Sequence, residues 1–203
     1  MKIAIIGASG NVGQRLVAEA LSRGHEVTAI ARNTSSIEAK PGVTVVQADI
    51  CDEEGGAAAI AGHDAAILSV RFQGTDFEQV LRTVKKSGVP RLLVVGGAAS
   101  LEVAPGKVLL DQPDFPDFIK PEAEPARQAL NRLRDEKEVD WTFLSPSMMF
   151  VPGERTAKFR LGKDQLLTAE DGKSSISYED YSIAAIDELE SPQHHRERFT
   201  VGY

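Results

Sequence analysis

The sequence predicts an α/β fold: one doubly wound parallel sheet with a small C-terminal cap. Three observations carry this. Short apolar runs alternate with helical periods along most of the 203 residues. The first run ends in a glycine turn that opens directly into a helix. The strand runs are apolar and β-branched throughout, which fits a sheet buried on both faces.

Each element can be justified in order. Ile3–Ile6 is long enough for one buried strand. After the glycines, Val12, Leu16 and Ala20, with Val17 and Leu21, recur at helical spacing. Val27–Arg32 is the second strand, after the turn at Gly24-His25. Val43–Ile50 is the third, after Pro41-Gly42. Glu53–Ala61 is a short alanine-rich helix, and Ala65–Val70 the fourth strand. Asp76–Ser87 is helical and stops at Gly88, with Pro90 just beyond. Arg91–Gly97 is the fifth strand. Pro125 suits a first helical turn, and Ala126, Leu130 and Leu133 line one face to about Lys137. Trp141–Ser145 is the sixth strand. Six strands in βαβ alternation require right-handed crossovers and give a Rossmann-type sheet.

Two stretches break the rhythm. Leu101–Lys120 holds Pro105, Pro113, Pro116 and three aspartates, too proline-rich for a helix. It is read as a surface loop or a substrate-side flap. Gly153–Gly172 has no helical period and is read as a short hairpin or lid. Ser177 looks like an N-cap, with Asp180 three residues on, for a helix through Glu190. Arg198–Gly202 is a candidate last strand. Residues 1–203 read as a single domain, of which 147–203 include a small substrate-side cap.

Composition limits the function. A formal net charge of −7 argues against a broad nucleic-acid-binding face and against anionic membrane surfaces. The single Cys51 excludes an internal disulfide and a cysteine-cluster metal site. No apolar run is long enough to span a bilayer. Met1 leads straight into the first strand, so the expectation is a cytoplasmic protein. The His194-His195 pair lies in a polar turn without partner ligands, and no metal is expected. His25 and His63 read as turn residues. Nothing in the sequence speaks to oligomeric state.

The chemistry is concentrated in the turn Gly7-Ala8-Ser9-Gly10-Asn11-Val12-Gly13. Strand, glycine turn and helix together make a dinucleotide-binding fingerprint. Gly7 is expected to allow the tight turn, Gly10 the close approach of a pyrophosphate, and Gly13 the packing of helix on sheet. The helix N-terminus then offers amide N–H groups and positive dipole to the phosphates. Cofactor choice is read at the end of the second strand, where Ala31-Arg32-Asn33 replaces the acidic residue of an NAD site. Arg32 suits a 2′-phosphate, so NADP is the expected cofactor and NAD the alternative. Arg32 could instead pair with an acid such as Glu38. Asp49, beside Ile50 at the end of the third strand, is placed to meet the adenine amino group or to cap the next helix. Ser69 and Val70, with Arg71, leave the fourth strand on the ligand side. Gly96-Gly97 leave the fifth, where they would let the nicotinamide ribose approach the backbone.

The spacing Gly-x-x-Gly-x-x-Gly resembles the extended and atypical branches of the short-chain dehydrogenase/reductase superfamily. Further stretches sharpen the likeness: Val94–Leu101, Asp140–Pro146, Pro152–Thr156, Ile176–Tyr181 and Arg198–Val201. They are similar to atypical members of the NADH-flavin reductase-like, NAD(P)-binding group, kin to biliverdin IXβ/flavin reductases and NmrA-like proteins. The resemblance spans nearly the whole chain. It places Ser100 where a superfamily serine touches substrate, against its bland reading as a turn residue, and Pro146 among the cofactor-binding positions. One departure is informative. The superfamily's tyrosine, with a lysine four residues later, is missing: Tyr178 is followed by Ser182, Tyr181 by Ala185, and Tyr203 is terminal. Alcohol–ketone chemistry, and an epimerase or dehydratase reaction on a nucleotide sugar, need that pair. Hydride transfer to a flavin, quinone or similar planar acceptor does not. That reduction is the expected function; the rival is a redox sensor that binds NADP(H) and catalyses nothing. Arg155, Phe159 and Arg160 could grip a flavin phosphate, but pairing with Glu154, Glu170 or Asp171 is the preferred reading.

Overall fold

The computed structural model describes all residues from Met1 to Tyr203. The central sheet holds β1 (Lys2–Ile6), β2 (Glu26–Ala31), β3 (Val43–Gln47), β4 (Ala65–Leu68), β5 (Arg91–Val95), β8 (Asp140–Ser145), β10 (Arg160–Gly162) and β12 (Glu197–Gly202). Between them run α1 (Asn11–Ser22), α2 (Glu53–Ile60), α3 (Phe77–Ser87), α4 (Lys120–Arg134) and α5 (Tyr178–Glu190). The small pairs β6 (Glu102–Ala104) with β7 (Lys107–Val108), and β9 (Met149–Val151) with β11 (Ser175–Ser177), lie outside it. The sheet order is β10-β12-β8-β5-β4-β1-β2-β3, all parallel except the β10 edge. The predicted doubly wound Rossmann-type sheet is therefore present. Its order reverses between β1 and β4, and ligands of such sheets bind in that crevice, beyond the carboxyl ends.

Strand alternation divides the core. Ile3 and Ile5 point to the face covered by α1 and α5, with Leu16, Ala20, Tyr181 and Ile186. Ala4 and Ile6 point to the face of α2, α3 and α4, with Ile60, Leu81, Leu130 and Trp141. Both faces are dry, as the unbroken apolar strands require. Helix ends follow sequence chemistry. Asp76 caps α3 by accepting from the Gln79 amide, Gly88 ends it at φ 70°, and Ser177 caps α5 by accepting from the Asp180 amide at 2.9 Å.

Two sequence expectations are corrected. The helix expected from Pro125 begins at Lys120, and Pro125 lies inside it. Pro121 already fills the first turn, and the Glu122 carboxylate accepts from the amides of Phe72 (2.7 Å) and Gln73 (3.0 Å). That tertiary anchor holds a turn that local sequence disfavours. The expected hairpin or lid at Gly153–Gly172 instead lends Arg160–Gly162 to the sheet edge as β10. Most of the C-terminal stretch also serves the main layers: α5 packs on α1, and β12 pairs with β8.

Where α4 ends, the buried Glu136 carboxylate joins two helices. It accepts from the Glu138 amide at 2.8 Å and lies 2.9 Å from Lys85 Nζ and 3.3 Å from Arg132 Nη2. Burial alone would raise its pKa, but these donors outweigh it and hold the carboxyl at about 2. A depressed folded-state pKa means stability present above the unfolded value and lost as pH falls through the folded one. Glu136→Gln is expected to cost on the order of 2 kcal/mol at pH 7. In urea titrations its gap to wild type should close as pH falls from 5 toward 2. A gap constant over that range would show that the carboxylate charge is not what matters.

Candidate nucleotide site

The glycine turn is built by close contacts. The amides of Gly7 and Ala8 both donate to Ile30 O, at 2.8 and 3.1 Å, and the Gly10 amide donates to Gly7 O at 3.0 Å. Gly7 has φ +82°, and a Cβ there would sit 1.9 Å from Ser69 O. A Cβ on Gly13 would sit 2.2 Å from Gly7 O. Both positions are closed to any side chain. Gly10 differs. Its φ is −76°, and a Cβ would meet only Gly7 O, at 3.3 Å. That contact is tight but needs a shift of only a few tenths of an ångström, so the fold itself demands glycine far less at Gly10 than at Gly7 or Gly13. Gly10 caps α1 without a side chain, and the amides of Asn11, Val12 and Gly13 find no acceptor in the protein. They form the open end of a twelve-residue helix, a ready anion site.

The turn faces one cavity of about 1090 Å³ at the carboxyl ends of the strands, above the roughly 300–1,000 Å³ of ordinary small-ligand clefts. Gly7, Ser9, Gly10, Asn11 and Val12 line it, as do Arg32 and Asn33 after β2, Asp49 and Ile50 after β3, and Ser69 and Val70 after β4. Gly96, Gly97, Ser100 and Pro146 line it after β5 and β8. Ala8 and Gly13 do not; both are buried beneath the turn. Gly96 lines the cavity as expected and has a packing reason besides. A Cβ there would lie 2.1 Å from the Phe143 ring, so this glycine makes room for a core aromatic. A Cβ on Gly97 meets nothing within 4 Å, and Gly97 alone keeps the reading of backbone open to a ligand.

Charge is distributed unevenly. Arg32 is exposed at the cavity and makes no ion pair or hydrogen bond, while Glu38 pairs with Lys40 at 2.9 Å. Arg71 is likewise unpaired. Arg127 is held by Asp111 and Glu124, and Glu122 is spent on backbone amides. Asp49 Oδ1 accepts from the Cys51 amide at 2.9 Å, so this side chain serves the local turn as well as the cavity. Burial pushes the Cys51 thiol up, away from reactivity.

Residues beyond the predicted set complete the far end. Leu109, Phe115 and Pro116 come from the proline-rich stretch, which thereby forms part of the cavity wall, and Ile119, Met148 and Phe150 join them. Their signal was the apolar residues scattered among its aspartates. No Tyr, Lys or His lines the cavity. Tyr181 is fully buried and donates to Leu144 O at 2.7 Å, and burial raises its phenol well above the ordinary range. Tyr203 is tied to Ser177 and Asp180. Ser100 follows β5 in a turn closed by the Leu101 amide on Ala98 O. Its Oγ accepts from Arg198 Nη1 at 3.3 Å. Arg155 clasps Glu19 at 2.8 and 2.9 Å, and Arg160 donates to backbone carbonyls. The preferred structural reading of these arginines holds, with other partners than those named. Each His is also in structural contact: His25 and His194 with Glu190 and Glu188, His195 with Asp140, and His63 with Thr28.

Residues 7–192 match the NAD(P)H-binding family, and the chain belongs to that family. It is also similar, over its whole length, to proteins from several bacteria. It is 41% identical to the uncharacterized protein YwnB of Bacillus subtilis over 99% of this chain and 98% of that protein. A crystal structure of a proposed epimerase from Bacteroides thetaiotaomicron shares 44% identity at TM-score 0.95, covering 100% of this chain and 96% of that one. A proposed NADH-flavin reductase from Streptococcus pneumoniae shares 36% at TM-score 0.87, covering 100% and 99%. The expected membership of an NAD(P)-binding family with an NADH-flavin reductase-like relative holds. No helix is long and apolar enough to cross a membrane.

Gly10 and Gly13 can be separated by mutation. Gly10→Val should leave the melting temperature nearly unchanged and abolish dinucleotide binding in calorimetry. Gly13→Val should unfold the protein, because it drives a side chain into Gly7 O. Unchanged affinity in folded Gly10→Val would contradict the assignment of this turn to the pyrophosphate.

Proposed function

We propose that the protein is an NADPH-dependent reductase of a planar acceptor, a flavin or a quinone. The observation that carries this is the asymmetry of the cavity: open helix amides and Arg32 at one end, and Leu109, Phe115, Pro116, Ile119 and Phe150 at the other, with no Tyr, Lys or His anywhere in the lining. The amides of Asn11 and Val12 would hold the pyrophosphate. Arg32, exposed at the cavity and without an ion-pair partner, would bind a 2′-phosphate and favour NADP over NAD. The bound nicotinamide supplies hydride. The chain's own residues then have to orient and exclude water. Gly97 leaves the backbone open to the cofactor, while Phe115, Ile119 and Phe150 offer surfaces for a flat ring. Holding two rings in register is an orientation effect, capable of lowering a barrier by about 7 kcal/mol or more. Protons can come from solvent, so no side-chain acid is needed. The name of the Bacteroides relative points elsewhere, but sugar epimerisation in this superfamily needs the tyrosine and lysine that this cavity lacks.

Two measurements test the reading. NADPH oxidation should be seen with FMN, riboflavin or a naphthoquinone, with a shallow pH profile between about 6 and 8.5. Tight NADPH binding without turnover on any of them would favour the redox sensor. Arg32→Ala should weaken NADPH by at least about tenfold, the loss of one charge-assisted contact of on the order of 1.5–3 kcal/mol. NADH should be nearly unaffected. Equal weakening of both would remove Arg32 as the selector.

A further inference from the structure

A buried guanidinium stands directly behind Ser100. Arg198, near the start of β12, is 8% exposed. Its Nε donates to Asp164 Oδ1 at 2.8 Å, and its Nη2 also reaches that oxygen. Nη1 donates to Ser100 Oγ at 3.3 Å and to Ser145 Oγ at 3.4 Å. The side chains that follow it, Phe199 and Val201, are apolar core. Burying a cation at the end of such a strand is costly. Asp164, the carboxylate that balances it, is about half exposed. Burial draws the guanidinium below its ordinary range and the Asp164 contact opposes this; an arginine keeps its charge in either case.

The consequence falls on Ser100. A guanidinium can only donate, so the serine oxygen must accept on that side. The Ser100 hydroxyl finds no acceptor in the protein, and Ser100 lines the cavity beside Gly97. Its proton is therefore free for an acceptor oxygen, and a hydrogen bond chain that ends on a cation polarises that O–H. An acceptor that takes up two electrons and one proton as hydride is left with negative charge on an oxygen; a proton from solvent completes its reduction.

We propose that Arg198, held by Asp164, is a positioning residue that makes Ser100 a charge-backed donor to an acceptor oxygen that becomes negative on reduction, so that the site favours carbonyl oxygens of the quinone type. This rests on the reductase reading above. It joins two residues, Arg198 and Asp164, to the site although neither lines the cavity. It also gives a reason for a buried cation in a strand that could have been finished with an apolar side chain.

Binding in the presence of NADP+ tests it without turnover. The probes are 2-hydroxy-1,4-naphthoquinone, an enolate with a full negative oxygen at neutral pH, and neutral 1,4-naphthoquinone. Wild type should prefer the enolate. Arg198→Met should weaken the enolate by at least about tenfold and leave the neutral probe unchanged. Ser100→Ala should do the same, and the double variant should be little worse than either. Arg198→Lys should restore part of the loss. If Arg198→Met does not fold, Asp164→Asn, at a half-exposed position, should show the same selective loss in smaller measure. In turnover, kcat should fall while KM for 1,4-naphthoquinone stays. Equal loss for both probes, no loss, or additive effects of the two variants would overturn the role of Arg198. A protein that binds NADP+ but neither naphthoquinone would overturn the quinone acceptor itself, a distinct outcome.

Discussion

The close approach of Gly7 to the Ser69 carbonyl is the constraint on which the rest depends. It draws the end of β1 against the end of β4, at the point where the strand order reverses. The positive φ at Gly7 then turns the chain so sharply that α1 starts almost on top of it, with Gly13 against Gly7 O. Neither contact tolerates a Cβ, so the turn has essentially one conformation. The α1 amides emerge from it already aimed into the crevice. Little ordering remains to be done when an anion arrives, which is the physical meaning of a preorganised site.

The far end of the crevice is organised differently. Instead of a tight glycine turn, it uses a tertiary clamp and a buried charge. Glu122 fixes the loop after β4 by accepting two amides, and this lets the proline-rich stretch present Leu109, Phe115 and Pro116 as cavity wall. Arg198 and Asp164 tie β12 and the segment after β10 to the Ser100 turn; the Glu102 amide on Asp164 O at 2.8 Å reinforces the same junction. One half of the cavity thus recognises charge through rigid backbone. The other offers apolar surfaces, with Ser100 backed by a cation among its polar side chains.

Much of the fold was legible because it rests on local signals. Buried strands read as apolar runs, and Asp76, Gly88 and Ser177 mark helix ends with their own side chains or lack of one. The position of Arg32 at the cavity was legible for the same reason: it directly follows β2. What escaped depends on partners distant in sequence. Gly96 read only as a ligand-side position, but it also makes room for the ring of Phe143, brought beside it only by the pairing of β5 with β8. The early start of α4 depends on amides about fifty residues upstream. Arg155 finds Glu19 on α1 rather than a neighbour in its own loop. Arg198 read only as the first residue of a strand, and nothing in its local sequence reveals Asp164 or Ser100.

The central claim is that the open amides at the start of α1 hold the cofactor's pyrophosphate. Amide hydrogen exchange with and without saturating NADP+ addresses those atoms themselves. The amides of Asn11 and Val12, which have no acceptor in the protein, should exchange at least about tenfold more slowly with the cofactor bound, while amides on the opposite edge of the sheet near β10 should be unaffected. Unchanged exchange at Asn11 and Val12, under conditions where calorimetry shows NADP+ bound, would contradict the claim and place the dinucleotide elsewhere.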